Sequence, residues 1–315
     1  MDRTLAERKE KKGSYIVIDG KQRLLSIRQY SVCDENDVFE PLKLTGLKIL
    51  KCLNGKTYND ISINNKIVKY NNILDNQSIR TVIIKNWNSQ DFLYSVFLRL
   101  NTGSLPLSPQ ELRQALDPGP FTKFVDKFSI ESQHIRMIFG PKEDYRMRDV
   151  ELVVRYFANK FFLDKYTGNL KEFLDKACSE LNKRWINEEI YIRNQAEELN
   201  NAINFSYQVF NIDTFRKYDK DNFSVIFNRQ VFDMMTYYFS IPEIRNASKG
   251  KEEEIKNCFI NICKNDIEFI RSIESSTKNT SAIIKRFSEW GKGLMNIIKI
   301  KIMIPVKTNE GITLQ

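Results

Sequence analysis

The chain has 315 residues, 42% of them hydrophobic, and a formal net charge of +9. That length leaves room for about two domains of ordinary folded composition, and no stretch reaches the ~20 uninterrupted apolar residues of a membrane span. The first twelve residues are charged with no apolar signal-peptide run behind them, and five scattered cysteines argue for a reducing, cytoplasmic setting rather than a disulfide framework.

Residues 1–14 are charged and read as a disordered or loose end. Tyr15, Ile16, Val17 and Ile18 then form a short β-branched run that leads into Asp19-Gly20-Lys21-Gln22-Arg23 and the amphipathic residues Leu24, Leu25 and Ile27. The pattern predicts strand, tight turn and helix. Residues 38–53 predict a short hairpin turning near Thr45-Gly46. One helix is expected around 59–75, and another strand over Arg80-Thr81-Val82-Ile83-Ile84. From about residue 89 the period becomes helical, with Phe92, Val96 and Leu100 on one face. After residue 120 nearly every segment reads as helix, including Val150 to Phe162 and Ile283 to Ile298. Pro118-Gly119-Pro120 marks a boundary between a small mixed α/β part and a helical part. At the far end, Ile298, Ile300, Ile302 and Ile304 alternate with Lys299 and Lys301, which is strand-like or the tail of a helix.

Two segments carry chemistry. In the first, Asp19 to Arg23 would surround a helix N-terminus with an acid, free backbone N–H groups and an arginine. Such an end attracts phosphate, because its first N–H groups lack partners and the helix dipole is positive there. Asp19 is open to two roles, a helix cap boxed by Gln22 or a carboxylate holding a hard cation on phosphates. Arg23 suits bidentate phosphate binding or a salt bridge to a carboxylate; Lys21 adds charge there or faces solvent. In the second segment, a helix ends near Asn101 with Gly103 as a left-handed cap. Ser108 (cap), Pro109 (first helical position) and Glu111 (capping box) then start a new helix. Arg99 and Asn101 would reach the phosphate pocket, Asn101 being equally readable as a helix-end residue. Phe157, Phe161 and Phe162 read as core.

Charge and histidine content narrow the chemistry. Residues 1–30 hold eight Lys/Arg against four Asp/Glu, and residues 271–307 hold eight against two, so the excess lies at the ends. Clustered positive charge suits phosphate-bearing partners such as DNA; a solvated surface is the bland reading. The single histidine, His134, sits in a polar stretch and reads as surface or half-buried. His-Asn-His nucleases, Ser/His/Asp hydrolases and Cys/His proteases all need a suitably placed imidazole. Cys258 and Cys263 have no second pair to complete a zinc site.

Together, Asp-Gly-x-Gln-Arg and the later Phe97-x-Arg99-x-Asn101-x-Gly103…Pro106-Leu107-Ser108-x-Gln110-Glu111-Leu112-Arg113 resemble the N-terminal domain of GmrSD-type modification-dependent restriction systems. Arg148-Asp149-x-Glu151-Leu152-x-x-Arg155-Tyr156-Phe157 is similar to a further signature of that family. Lys21 stands where the family usually has glutamine, and Ser104 where it has a second glycine. The resemblance implies an α+β chain: a ParB/sulfiredoxin-like core over 15–118, truncated at its N-terminus, and a helical domain over 119–315. It implies a prokaryotic anti-phage or restriction role, with a nucleoside triphosphate and Mg2+ bound by Asp19, Gly20, Lys21, Gln22, Arg23, Arg99 and Asn101. Asp19 and Arg23 would be the catalytic pair and Asp19 the metal ligand. Lacking the histidines of a His-Asn-His domain, the chain would leave cutting to a nuclease partner subunit. A non-catalytic DNA-binding or regulatory module, or a fragment completed by a partner chain, are the other readings.

Overall fold

The computed structural model describes residues 5–7, 12–14, 20–31, 41–84, 96, 108–274, 279–308 and 311–315. The chain divides into two compact units, Met1–Pro106 and Leu107–Gln315.

In the first unit, Leu5–Glu7 (β1) pairs antiparallel with Lys12–Ser14 (β2), within the stretch whose charge pattern suggests a loose end. Lys21–Ser31 (α1) is the helix expected behind the Asp-Gly turn. The strand expected at 15–18 lies outside the described residues. The amphipathic face of α1 is used differently than its sequence suggests: Leu24 and Ile27 are each 42% exposed, while Tyr30 is buried. The Tyr30 hydroxyl donates to Asn71 Oδ1 at 3.3 Å, and its ring meets Tyr58 edge-on at 5.6 Å. With Leu53 and Ile61 it forms a small core covered by Leu42, Leu44, Leu47, Ile67 and Tyr70.

Three local expectations fail here. Residues 41–50 form no hairpin ladder and lead into a 3-10 turn, Lys51–Leu53. Leu44 does exchange backbone bonds with Gly55 and Lys56, at 2.7 and 2.9 Å. Beyond it, however, the Asn54 side chain accepts from Leu47 N–H at 2.9 Å and donates to Leu47 C=O at 3.0 Å. One amide thus satisfies the groups a paired strand would have used. The single helix around 59–75 is two, Tyr58–Ser62 (α2) and Lys69–Asp75 (α3). Between them Asn64 Oδ1 accepts from Lys66 N–H at 3.0 Å, a side-chain turn that competes with helix. Arg80 to Ile84 belong to no strand, and Val82 is 93% exposed. β-propensity alone makes no strand without a neighbour to pair with, and no described residue provides one.

The second unit is mainly helical. Its helices are Pro109–Leu116 (α4), Pro120–Glu131 (α5), Gln133–Phe139 (α6), Arg148–Phe162 (α7), Leu170–Phe210 (α8), Arg229–Phe239 (α9), Pro242–Ser248 (α10), Glu252–Asn265 (α11), Ile267–Glu274 (α12) and Thr280–Ile298 (α13). Two antiparallel hairpins complete it, Arg216–Asp219 (β3) with Asn222–Phe227 (β4) and Pro305–Thr308 (β5) with Gly311–Leu314 (β6). The chain is α+β, with its small sheets antiparallel and its second part helical.

The axis of this unit is α8, about 60 Å long at 1.5 Å per residue. Asn169 caps it through Glu172 N–H, and Phe173, Ala177, Leu181 and Trp185 repeat at helical spacing on its buried side. Helices α5, α7 and α9 pack against α8, and the Phe157 ring of α7 meets Phe121 of α5 edge-on at 5.1 Å. Phe157 and Phe162 are core, as expected, with Phe161 packed beside them. Gly119 has no side chain to cap α5, so Asn182 of α8 does it in trans, accepting from Phe121 N–H at 3.0 Å and Thr122 N–H at 3.2 Å. Of the final isoleucines, Ile304 alone joins a ladder, exchanging both backbone bonds with Gln315 just ahead of β5. Helix α13 runs to Ile298, stops at a left-handed Lys299 (φ 58°), and β5 starts only at Pro305. Ile302 is buried against the core while Ile300 is 38% exposed, so their alternation reflects packing rather than sheet.

Candidate functional site

Backbone geometry at the head of α1 comes from Gly20. Its φ of +91° belongs to the left-handed region that side chains avoid. Leu24 N–H donates to Gly20 C=O at 2.9 Å, so Gly20 is the residue from which α1 starts. The N–H groups of Lys21, Gln22 and Arg23 therefore precede the first helical bond and point out of the helix end. Arg23 folds back over this end. Its Nη2 lies 3.3 Å and its Nε 3.6 Å from where a Cβ on Gly20 would sit. No acidic residue lies in the first turn of α1 itself. The structure thus brings Gly20 and Arg23 together. Lys21 and Gln22 lie in the first turn of α1; Asp19, Arg99 and Asn101 lie outside the described residues. Among the described residues no group of three His, Cys, Asp or Glu could hold a metal ion.

The described part of the second motif, from Ser108 to Arg113, has a different role. Ser108 Oγ accepts from Glu111 N–H at 3.1 Å, and Ser108 N–H donates to Glu111 Oε2 at 2.7 Å, the capping box expected from sequence. The same hydroxyl donates to Arg146 C=O at 2.9 Å, and the Arg146 guanidinium lies 3.5 Å from Glu111. Buried Arg113 donates to Asp175 of α8 at 2.8 Å and also bonds Gln110. Polar residues of this motif thus fasten α4 to α8 and to the loop before α7.

The Arg-Asp signature at the head of α7 is equally structural. Asp149 is buried and bonded by Arg136. Asp144 accepts from Arg148 Nε at 2.7 Å and Arg146 N–H at 2.8 Å. Burial would raise the Asp144 pKa, but these donors outweigh it and hold the carboxyl below its ordinary value. Arg155 and Asp233 form a bidentate pair, both side chains 3% exposed, with Arg155 Nε 3.0 Å from Oδ1. Arg286 lies buried nearby and feels the same aspartate. Sequence reasoning missed Asp175, Asn182 and Asp233. Each lies 60 or more residues from its partner with no local pattern to mark it.

The basic C-terminal end is less free than its composition suggests. Arg271 pairs with Glu268 at 2.6 Å, Lys285 with Asp266 at 2.7 Å and Lys292 with Glu289 at 3.1 Å. Among the described residues Lys299, Lys301 and Lys307 carry no ion pair. His134 is half-buried, and no helix of the described residues is long and apolar enough to cross a membrane.

Residues 4–116 match the family model of the GmrSD restriction endonuclease N-terminal domain. The match contains both motifs and ends with the last residue of α4. Residues 4–116 are thus similar to the N-terminal domain of GmrSD restriction endonucleases, the family that the two motifs resemble. No curated protein and no solved structure matches the chain.

Proposed function

We propose that the chain is a nucleotide-binding, NTP-hydrolysing component of a prokaryotic restriction or anti-phage system, acting at the Asp19–Arg23 helix end. The observation that carries this reading is the pairing of Gly20 with Arg23. A left-handed glycine leaves the backbone bare at an outward-pointing set of N–H groups, and a guanidinium folds over the same spot. That is a cradle for phosphate oxygens: backbone donors, a positive dipole end and a bidentate cation. A side chain on Gly20 would fill it.

Within this reading Arg23 binds phosphate oxygens and Lys21 adds charge. Gln22, Arg99 and Asn101 orient the rest of the nucleotide. Asp19 holds Mg2+, a cation that typically takes one or two carboxylates and completes its shell with phosphates and water. When bound, the metal would neutralise charge on the phosphates during transfer to water. With a single histidine in the chain, DNA cleavage falls to a separate nuclease subunit.

The test is phosphate release from ATP, GTP, CTP and UTP with magnesium, with and without DNA, for wild type, Asp19→Ala and Arg23→Ala. Turnover in wild type that both variants lose supports the reading. Absence of turnover and of nucleotide binding refutes it, and a DNA titration against salt then tests the binding-module alternative.

A further inference from the structure

The second unit contains a cleft of about 660 Å³ between α12, α13 and β5. This is the size range of built ligand sites, and neither sequence motif contributes to it. Its apolar lining includes Ile284, Ile304, Pro305 and Val306, and its cations are Arg271, Lys285, Lys292 and Lys307 against the acids Glu268 and Glu289. Lys307 has no acidic partner among the described residues.

Among the described residues no strand pairs with the outer edge of the strand beside this cleft. Ile304 and Gln315 exchange both backbone bonds, at 2.8 and 3.0 Å. Hydrogen-bonded pairs alternate in an antiparallel ladder. With Val306 opposite Thr313 and Lys307 opposite Ile312, the polar backbone groups of Pro305 and Lys307 therefore face away from β6. The Pro305 C=O confirms the direction, since it accepts from Ser288 Oγ of α13, itself a cleft residue. Lys307 thus presents one N–H and one C=O on the cleft side of β5. Proline and lysine on an edge strand discourage indiscriminate pairing, and a neighbouring strand carrying acid would turn Lys307 from a deterrent into a partner.

We propose that this cleft is a docking site for an extended, acidic peptide segment of a partner protein, laid beside β5. Its apolar side chains would rest on Ile284, Ile304 and Val306. Its acids would meet Lys307 and compete with Glu289 for Lys292, and its backbone would bond Lys307. Nucleic acid fits less well: the described lining has no aromatic ring for bases to stack on.

The experiment uses the full chain and a fluorescein-labelled octapeptide of alternating Glu and Leu, read by anisotropy. A Lys-for-Glu version and a DNA duplex serve as comparison probes. Saturable binding of the acidic peptide is expected, with the Lys version and DNA much weaker. A Lys292→Glu/Lys307→Glu double variant should bind about tenfold more weakly, a loss of ~1.4 kcal/mol. Lys249→Glu, away from the cleft, should bind as wild type, and all proteins should melt alike. The proposal is overturned by absence of saturable binding up to about 1 mM, the weak limit of specific recognition. Equal binding of the Lys peptide, tighter binding of DNA, or a double variant that binds like wild type also overturns it.

Discussion

Replacing Asp233 by alanine removes the anion from a buried cluster that holds two arginines. Arg155 loses both bonds of its bidentate pair, at side-chain exposures of 3% on each side. Burial would lower the Arg155 pKa, and Asp233 beside it outweighs that and raises it. Arg286 is pushed down to about 10 by burial, with Asp233 as the charge that opposes the shift. Removing one member of a buried ion pair costs roughly 3–5 kcal/mol, because the remaining charge is left desolvated and unpaired. In a unit of about 200 residues each kcal/mol moves the midpoint by ~2–4 °C. The expected loss is therefore about 6–20 °C in Tm, measured by calorimetry and by urea unfolding. An Arg155→Met/Asp233→Leu double variant should recover part of it, since that pair is replaced by apolar volume while Arg286 stays behind. A single Asp233→Ala variant that melts within about 2 °C of wild type would refute the argument that this pair carries the junction of α7 and α9.

Three further predictions follow from packing and charge. Burial brings the Lys160 pKa from 10.5 down to about 8, so between those pH values the unfolded chain holds a proton that the folded chain has released, and stability rises with pH. Wild-type stability measured relative to Lys160→Met should rise by about 1–3 kcal/mol from the low to the high end of that window; a relative stability that stays flat in urea melts sinks the assignment. Taking the difference matters, because the buried thiols of Cys178 and Cys263, raised to about 12, act oppositely in both proteins. Gly119→Ala should destabilise by about 1–3 kcal/mol, since its Cβ would lie 2.2 Å from the Asn182 side chain that caps α5; an unchanged urea midpoint would contradict this. Ser108→Ala should cost about 1–2 kcal/mol through loss of the Glu111 and Arg146 bonds, and a loss below about 0.3 kcal/mol would show the cap to be dispensable.

What was legible in the sequence was local. The helix behind Asp19-Gly20, the capping box at Ser108-Pro109-Glu111 and the helices near 150–162 and 283–298 all rest on contacts within a few residues. Such contacts form wherever the chain places them. The two motifs also sufficed for the family resemblance, because they are short runs in a fixed order. Tertiary structure decided the rest. The Arg80–Ile84 run has strand propensity yet joins no strand, because pairing needs a neighbour that propensity cannot supply. The hairpin near Thr45-Gly46 gave way to a loop when the Asn54 side chain took up the Leu47 backbone groups. At Gly20 the sequence indicated the turn, and the fold placed the Arg23 guanidinium over it. The partners of Arg113, Arg155 and the head of α5 are Asp175, Asp233 and Asn182. A buried charge or an uncapped helix end requires a partner, and where that partner lies along the chain is set by which helices pack together.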